Sequence, residues 1–576
     1  MEIQQIIVEK NVPCKMRDGV TLYADIYRPN SSGTFPVLLT RLPYNKDLPF
    51  YSHRYLDTNR LVQNGFVVII QDVRGRFNSE GDFYPFIYEA EDGYDTVEWA
   101  AGLPYANGKV GMFGLSYYGF TQLLAATEQP PHLQAIFPAM TLTDWHNDSV
   151  ENDGKYLIGG AETWALESVA PDELKRKHPD PDDYHKMMKK MAKYYDQMEE
   201  WFNYMPVENW PPLKELGVAE YFFDFIKKRL TAEQIKQMSI RDKYSQITVP
   251  AYHLAGWYDN FLKATIRNFS QLRNKEDAKL QKLMIGPWAH GIFQARLGER
   301  NFGLHASQDW IDYKEDLTAL HIRWFNHWLK EEKSDFETEA PIKLFVMGIN
   351  EWRDEYEWPL ARTNYTPYYL DSEGHANTRF GDGKLTATPS SGEHTDHFLF
   401  DPANPVPSNG GGTLFAGGVP GPLDQREIEE REDVLVYTSE PLIEPLEVTG
   451  EIKVKIWVKT DAVDTDFTAK LVDVDLDGKA IQLADGIKRI RSGNENQLAE
   501  IEIDLWATSN VFLPGHCIRL EVSSSNFPRY DVNLNTGESM ITSSERKVAK
   551  QTVYHQSEYP SQLLLPVIDN SGRKTT

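Results

Sequence analysis

A serine framed by glycines, Gly114-Leu-Ser116-Tyr-Tyr-Gly119, lies between an apolar run ending at Phe113 and a helix-forming run, Thr121-Gln-Leu-Leu-Ala-Ala-Thr127. Strand, tight turn and helix in that order would lift the hydroxyl above a sheet edge, and small flanking residues would let strand and helix approach. A serine hydroxyl is a weak nucleophile at neutral pH and needs a base oriented by an acid. Two later apolar runs end in those types. Val249–Leu254 leads into Ala255-Gly-Trp-Tyr-Asp259, and Lys282–Ile285 leads into Gly286-Pro-Trp-Ala-His290. Ser116, Asp259 and His290 are therefore the candidate catalytic triad, suited to attack on an acyl carbonyl. Taken singly each has a bland reading: a turn serine, a loop acid, or one of 15 histidines. Their order along the chain and their place just after buried strands favour the triad.

Such chemistry also needs donors for the developing oxyanion. One is expected from the backbone N–H of Tyr117, the residue after the nucleophile. The second usually comes from a loop after the third strand, often an HGGG run. Here that loop reads Arg41-Leu-Pro-Tyr44-Asn-Lys46, so the Tyr44 phenol is the candidate, with a packing tyrosine as the alternative. Aromatic residues crowd these motifs, among them Tyr44, Tyr117, Tyr118, Trp257 and Phe261. They suggest an apolar acyl pocket, although aromatics are also ordinary core filler.

The elements that must position these groups can be read from the same chain. Phe35–Arg41, Phe66–Gln71 and Lys109–Phe113 are short continuous apolar runs, suited to strands buried on both faces. A helical pattern over Glu91–Ala101 lies between them. Strand and helix in alternation predict an α/β domain over residues 1–145 and 246–345. Residues 146–245 read as a helical lid insertion. Within it Met187, Met191, Tyr194, Met198 and Trp201 recur at helical steps, and Thr231-Ala-Glu-Gln234 has the form of a capping box. A methionine stripe of this kind is packing before it is a cofactor site. Ile247–Ala255 and Lys282–Ile285 resume the strands, and Leu317–Leu329 reads as a helix. Residues 346–576 have an all-β texture that predicts a β-sandwich or jelly roll. Glu451–Trp457 alternates as a strand, and Leu471–Leu483 reads as a hairpin turning at Asp477-Gly478.

The formal net charge is −25 in 576 residues. An acidic surface disfavours nucleic acid and anionic lipid as partners. It reads first as solubilising charge and second as attraction for cationic substrates. Two distant cysteines, Cys14 and Cys517, make neither a disulfide framework nor a zinc knuckle and fit a reducing, cytoplasmic setting. The N-terminus shows no signal-peptide pattern, and no apolar run reaches the ~20 residues that span a bilayer. No metal is expected. Asp473-Val-Asp-Leu-Asp-Gly478 imitates a calcium loop but carries Ala484 where the bidentate glutamate belongs. No phosphate-binding loop or dinucleotide fingerprint occurs, and a triad needs no cofactor.

Several blocks, in order along the chain, resemble the cocaine esterase family, within the X-Pro dipeptidyl peptidase-like group of α/β-hydrolases. They are Asp18–Leu22, Pro43-Tyr44, Asp72–Gly81, Gly111–Gly119, Ala255–Asp259, Gly286–His290 and Asp401–Pro407. The resemblance implies an α/β-hydrolase domain, a helical lid inserted after the sixth strand and a C-terminal jelly roll. It implies Tyr44 as an oxyanion donor beside the Tyr117 amide, with Phe261 and, in the lid, Trp164 near the substrate. Relatives acting on α-amino acid esters carry extra carboxylates after the acid; here Asn260, Phe261 and Leu262 follow Asp259. X-Pro peptidases are generally longer at the N-terminus. The expectation is a serine hydrolase cleaving a small-molecule acyl ester through an acyl-enzyme. An amidase, a β-lactam acylase or an X-Pro dipeptidyl peptidase on the same scaffold are the alternatives. A non-catalytic binding protein ranks below them because all three triad members are present. Whether the chain forms a homo-oligomer is left open.

Overall fold

The computed structural model describes residues 5–152, 154–275, 279–491 and 496–569. The first sheet has ten strands: β1 (Ile6–Lys15), β2 (Thr21–Pro29), β3 (Phe35–Leu42), β4 (Val67–Asp72), β5 (Ala106–Leu115), β6 (Leu133–Ala139), β7 (Ala251–Tyr258), β8 (Gln281–Ala289), β9 (Ile342–Val346) and β10 (Glu351–Glu355). Their spatial order is β1-β2-β4-β3-β5-β6-β7-β8-β9-β10. The strands from β4 through β9 in that order pair in parallel, and the edges at β1–β2, β2–β4 and β9–β10 are antiparallel.

The central strands read as continuous apolar runs because both faces are covered. Successive residues alternate between two cores. Leu39, Val67 and Met112 pack with helices α1 (Glu89–Ala101) and α2 (Tyr117–Thr127), which contribute Val97, Phe120 and Leu123. Leu38, Val68 and Phe113 face the other way, against Leu320, Trp324 and Phe325 of a helix over Leu317–Lys330. This domain is of the α/β-hydrolase type.

Between β6 and β7 the chain is mostly helical. Among the described residues its first three α-helices are α3 (Ile158–Trp164), α4 (Ala170–Lys177) and α5 (Pro181–Asp196). The methionine stripe does not lie on one helix as expected. Helix α5 ends at Asp196, its C-cap Gln197 taking φ −111° and ψ 19°, and Met198–Trp201 forms a separate turn. Met191 and Met198 are both buried, so the kink keeps the stripe inward. The capping box at Thr231 and Gln234 is present.

Among the described residues the second sheet has eleven strands between Thr363 and Ile568, giving an all-β C-terminal domain. Asp464–Val474 and Ala480–Arg491 pair as the expected hairpin, and Gly478 takes φ +76° at its turn. Residue 345 lies within β9, and β10 pairs with β9 just after it. Arg353 of that strand meets Glu447 at 2.6 Å, joining the two sheets, and Arg300, on a short two-stranded ribbon after β8, meets Asp473 of the second sheet at 3.2 Å. Among the described residues no helix is long and apolar enough to cross a membrane, and no cluster of three metal-ligating side chains occurs.

Candidate active site

Ser116 occupies the single-residue turn between β5 and α2, with φ 59° and ψ −121°. A non-glycine residue in that region is strained and persists only when its surroundings over-determine it. Here they do. Ser116 donates its N–H to Ala139 at 2.9 Å. Its carbonyl accepts from Gly119 and Phe120 of α2 and from the Thr141 hydroxyl at 2.6 Å. The two motif glycines have separate causes. A Cβ on Gly114 would stand 2.4 Å from the Tyr118 ring, and one on Gly119 would stand 2.8 Å from the Thr141 side chain.

Asp259 and His290 follow the parallel neighbours β7 and β8. The His290 Nδ1–H donates to Asp259 Oδ1 at 2.8 Å, with Asp259 buried and the ring 13% exposed. The Gly/Trp-rich flanks make this approach feasible, since a Cβ on Gly256 would meet the Trp288 carbonyl at 2.3 Å. The Phe261 ring packs edge-on to His290, centroids 5.2 Å apart.

Tyr44 leaves the end of β3, and its hydroxyl accepts a hydrogen bond from the Trp164 indole N–H at 3.1 Å. Burial pushes the Tyr44 hydroxyl up to about 12, opposed by the bonds to Trp164 and Ser116 and by the Arg76 charge. It therefore stays a neutral donor at neutral pH. Tyr117 begins α2, so its N–H falls in the first turn, which has no intrahelical acceptor. Its phenol points away from the cleft. It donates to Glu89 Oε1 at 2.8 Å and accepts from the Phe86 N–H at 3.2 Å. Arg41 pairs with the second oxygen of Glu89 at 2.9 Å.

All the expected site residues except Asp259 line one cavity of about 550 Å³: Ser116, His290, Tyr44, Tyr117, Phe261 and Trp164. Asp259 lies behind His290. Tyr118 lines the cavity too, but Trp257 does not. Its indole donates to the Phe345 carbonyl at 2.7 Å, and it lines a smaller neighbouring cavity instead. The cavity has walls that sequence reading missed: Trp145 and Glu167 from the helical segment, and Thr413–Gly418, Trp506 and Arg529 from the C-terminal domain. Gly412 offered the one available signal. It sits in a glycine run, and a Cβ there would come within 3.3 Å of Asn260. A second Ser–His–Asp grouping, Ser372, His555 and Asp396, is sealed in the β domain, with His555 Nε2 3.0 Å from both partners. With all three side chains buried, it reads as a structural tie.

Comparison with known proteins agrees with this architecture. The family model described as X-Pro dipeptidyl-peptidase (S15 family) matches residues 18–292, and that of the X-Pro dipeptidyl-peptidase C-terminal non-catalytic domain matches residues 334–564. The cocaine esterase of Rhodococcus sp. (strain MB1 Bresler) is 38% identical, over 97% of this chain and 98% of its own. Among solved structures, an α-amino acid ester hydrolase aligns with a TM-score of 0.75 at 25% identity, covering 98% of this chain and 97% of that one. An aminopeptidase from a marine sediment Thaumarchaeota archaeon aligns with a TM-score of 0.75 at 23% identity, over 99% and 97% of the two chains, and shares the fold. The chain belongs to the cocaine esterase-like (CocE/NonD) hydrolase family, within the X-Pro dipeptidyl-peptidase-like group.

Proposed function

We propose that the protein is a serine esterase that cleaves small acyl esters through a covalent acyl-enzyme. The observation that carries this reading is the strained Ser116 sharing a cavity with a histidine held by a buried aspartate. His290 Nε2 takes the proton of Ser116 as Oγ attacks the acyl carbonyl. Asp259 fixes the Nδ1–H tautomer and stabilises the imidazolium. The Tyr44 hydroxyl and the Tyr117 N–H receive the oxyanion. The imidazolium then protonates the leaving alcohol. Water, deprotonated by His290, releases the acid and restores Ser116. In this reading residues 146–245 act as a lid and the C-terminal domain is a jelly roll that completes the cleft. The aromatic wall of Trp145, Trp164 and Phe261 supports an apolar acyl group.

Amide cleavage is the second reading, favoured by the X-Pro dipeptidyl-peptidase family match. Intact-mass labelling with a fluorophosphonate tests the nucleophile. One adduct is expected on the wild type and none on Ser116→Ala. Nitrophenyl esters of graded acyl length, run beside the matching nitroanilides, separate the two activities. A folded wild type that takes no adduct and turns over neither series refutes both readings.

A further inference from the structure

The Asp72–Gly81 block has no part in the proposed chemistry, yet it brackets the proposed oxyanion donor. Asp72, at the end of β4, accepts from the Lys46 N–H and from Lys46 Nζ, both at 3.0 Å, with both side chains fully buried. Lys46 lies just after Tyr44 in the chain. Arg76 donates from Nε to the carbonyl of Pro43, the residue before Tyr44, at 2.9 Å. One loop therefore grips the Tyr44 backbone from both sides. The same guanidinium reaches the helical segment. Its Nη1 donates to the Val169 carbonyl at 3.1 Å and its Nη2 to that of Ser168 at 2.7 Å. Those carbonyls belong to a wide helical turn, Ala165–Val169, that follows directly on α3. Helix α3 ends at Trp164, whose indole bonds the Tyr44 hydroxyl. The contacts close a ring: Arg76 holds the backbone beside Tyr44, Trp164 holds its phenol, and both anchors lie on adjoining turns of one segment.

Helix α4 meets the block again. Its Asp172 accepts from the Phe77 N–H at 2.8 Å, and its Arg176 donates to the carbonyls of Phe77 and Ser79, both at 2.9 Å. Neither Arg76 nor Arg176 is among the described residues that line the cavity. Packing alone is a poor reason for this arrangement. Arg76 is fully buried, and the carboxylate it pairs with, Asp172, stands 3.7 Å away. A buried charge so loosely paired is costly, and an apolar chain could fill the space beside Phe77 and Phe83. An apolar chain cannot hold three carbonyls from two elements in one register, whereas a planar fork of donors can. We propose that Arg76 is a positioning residue that ties the seating of the helical segment to the aim of the Tyr44 hydroxyl at the developing oxyanion. This rests on the esterase reading above, with Tyr44 as the oxyanion donor.

The test crosses each arginine with Tyr44. Single-turnover acylation by nitrophenyl butyrate is measured for the wild type, Arg76→Lys and Arg176→Ala, each with and without Tyr44→Phe, and KM is read beside kcat. Arg76→Lys keeps the charge and loses the fork. It is expected to slow acylation by about 10-fold with KM little changed, since a small misplacement of a reacting group is enough to do so. Arg176→Ala removes a partly exposed side chain and is expected to slow acylation by about 3-fold. On the Tyr44→Phe background neither substitution slows it further. Where Arg76→Lys does not fold, Arg176→Ala decides alone. A loss of the same factor in both backgrounds, or no loss, makes Arg76 structural support only; it overturns the positioning role and leaves the esterase reading standing. Turnover of no ester and no fluorophosphonate adduct on the wild type overturn both. Adduct formation on each variant shows that its triad is assembled.

Discussion

Trp164 touches the proposed chemistry through Tyr44, and a single substitution isolates that role. An indole N–H only donates. With Trp164 Nε1 3.1 Å from the Tyr44 hydroxyl, the phenol oxygen must accept, which leaves its own proton free for the oxyanion. Trp164→Phe removes the donor and keeps an aromatic ring beside Tyr117 and Tyr221, whose centroids lie at 6.3 and 5.7 Å. A neutral hydrogen bond of this length is worth about 0.5–1.5 kcal/mol net. If that is realised as the phenol takes up oxyanion charge, kcat falls about 2- to 12-fold. Tyr44→Phe removes a direct donor and is expected to lower kcat by about 10²–10³. The decisive measurement is the double-mutant cycle, read as single-turnover acylation by a nitrophenyl ester. If Trp164 works through Tyr44, adding Trp164→Phe to Tyr44→Phe lowers the acylation rate no further. If it lowers that rate by the same factor in both backgrounds, Trp164 only packs against substrate and the coupling is wrong.

Two further outcomes follow from packing and from buried charge. Alanine normally stabilises a helix relative to glycine by about 1 kcal/mol. Gly119→Ala should do the reverse, because its Cβ would stand 2.8 Å from the Thr141 side chain and 2.9 Å from the Ala139 carbonyl. Overpacking of that kind costs about 1–3 kcal/mol; an unchanged or raised Tm would show that α2 has room to shift. In the β domain, burial and the neighbouring Glu521 push Glu429 up to about 8, against the Arg519 contact at 2.6 Å. The folded chain therefore holds a proton that the unfolded chain has lost, so this stability is present below about pH 4.5 and lost as pH rises through about 8. The urea midpoint of the wild type should fall more between about pH 6 and pH 9 than that of Glu429→Gln; equal slopes would place the proton elsewhere.

What could be read from the residues alone depended on whether local pattern decides the structure. Parallel strands buried on both faces have to be apolar throughout, so β3, β4 and β5 were visible as runs. The loops ending β7 and β8 could then be placed, and Asp259 and His290 with them. Strand β10, Glu-Trp-Arg-Asp-Glu, has no such run. It is an edge strand held by backbone bonds to β9, so its side chains need not be apolar and no run marks it. The break at Gln197 was hidden for a related reason. Met191 and Met198 remain buried on both sides of it, so periodicity persists where the helix does not. The far wall of the cavity left almost no local trace. Glu167, Thr413 and Arg529 converge from separate segments, and no spacing along the chain encodes that.

The departure at the nucleophile shows how a local irregularity can carry a tertiary cause. A glycine two residues after the serine is usual in such a turn; here that position is Tyr118. Its ring lies edge-on to Tyr44, Tyr51 and Tyr55, with centroids 6.3, 6.1 and 5.9 Å away. The side chain thus helps build the wall that holds Tyr44. The space it needs comes from Gly114, where a Cβ would collide with the same ring. Close passage of α2 over the end of β6 still requires a residue without a side chain. That requirement falls one position later, at Gly119, where the helix faces Ala139 and Thr141. The shifted glycine and the aromatic residue before it are one packing solution, which is why the motif could look weak and still stand at the centre of the site.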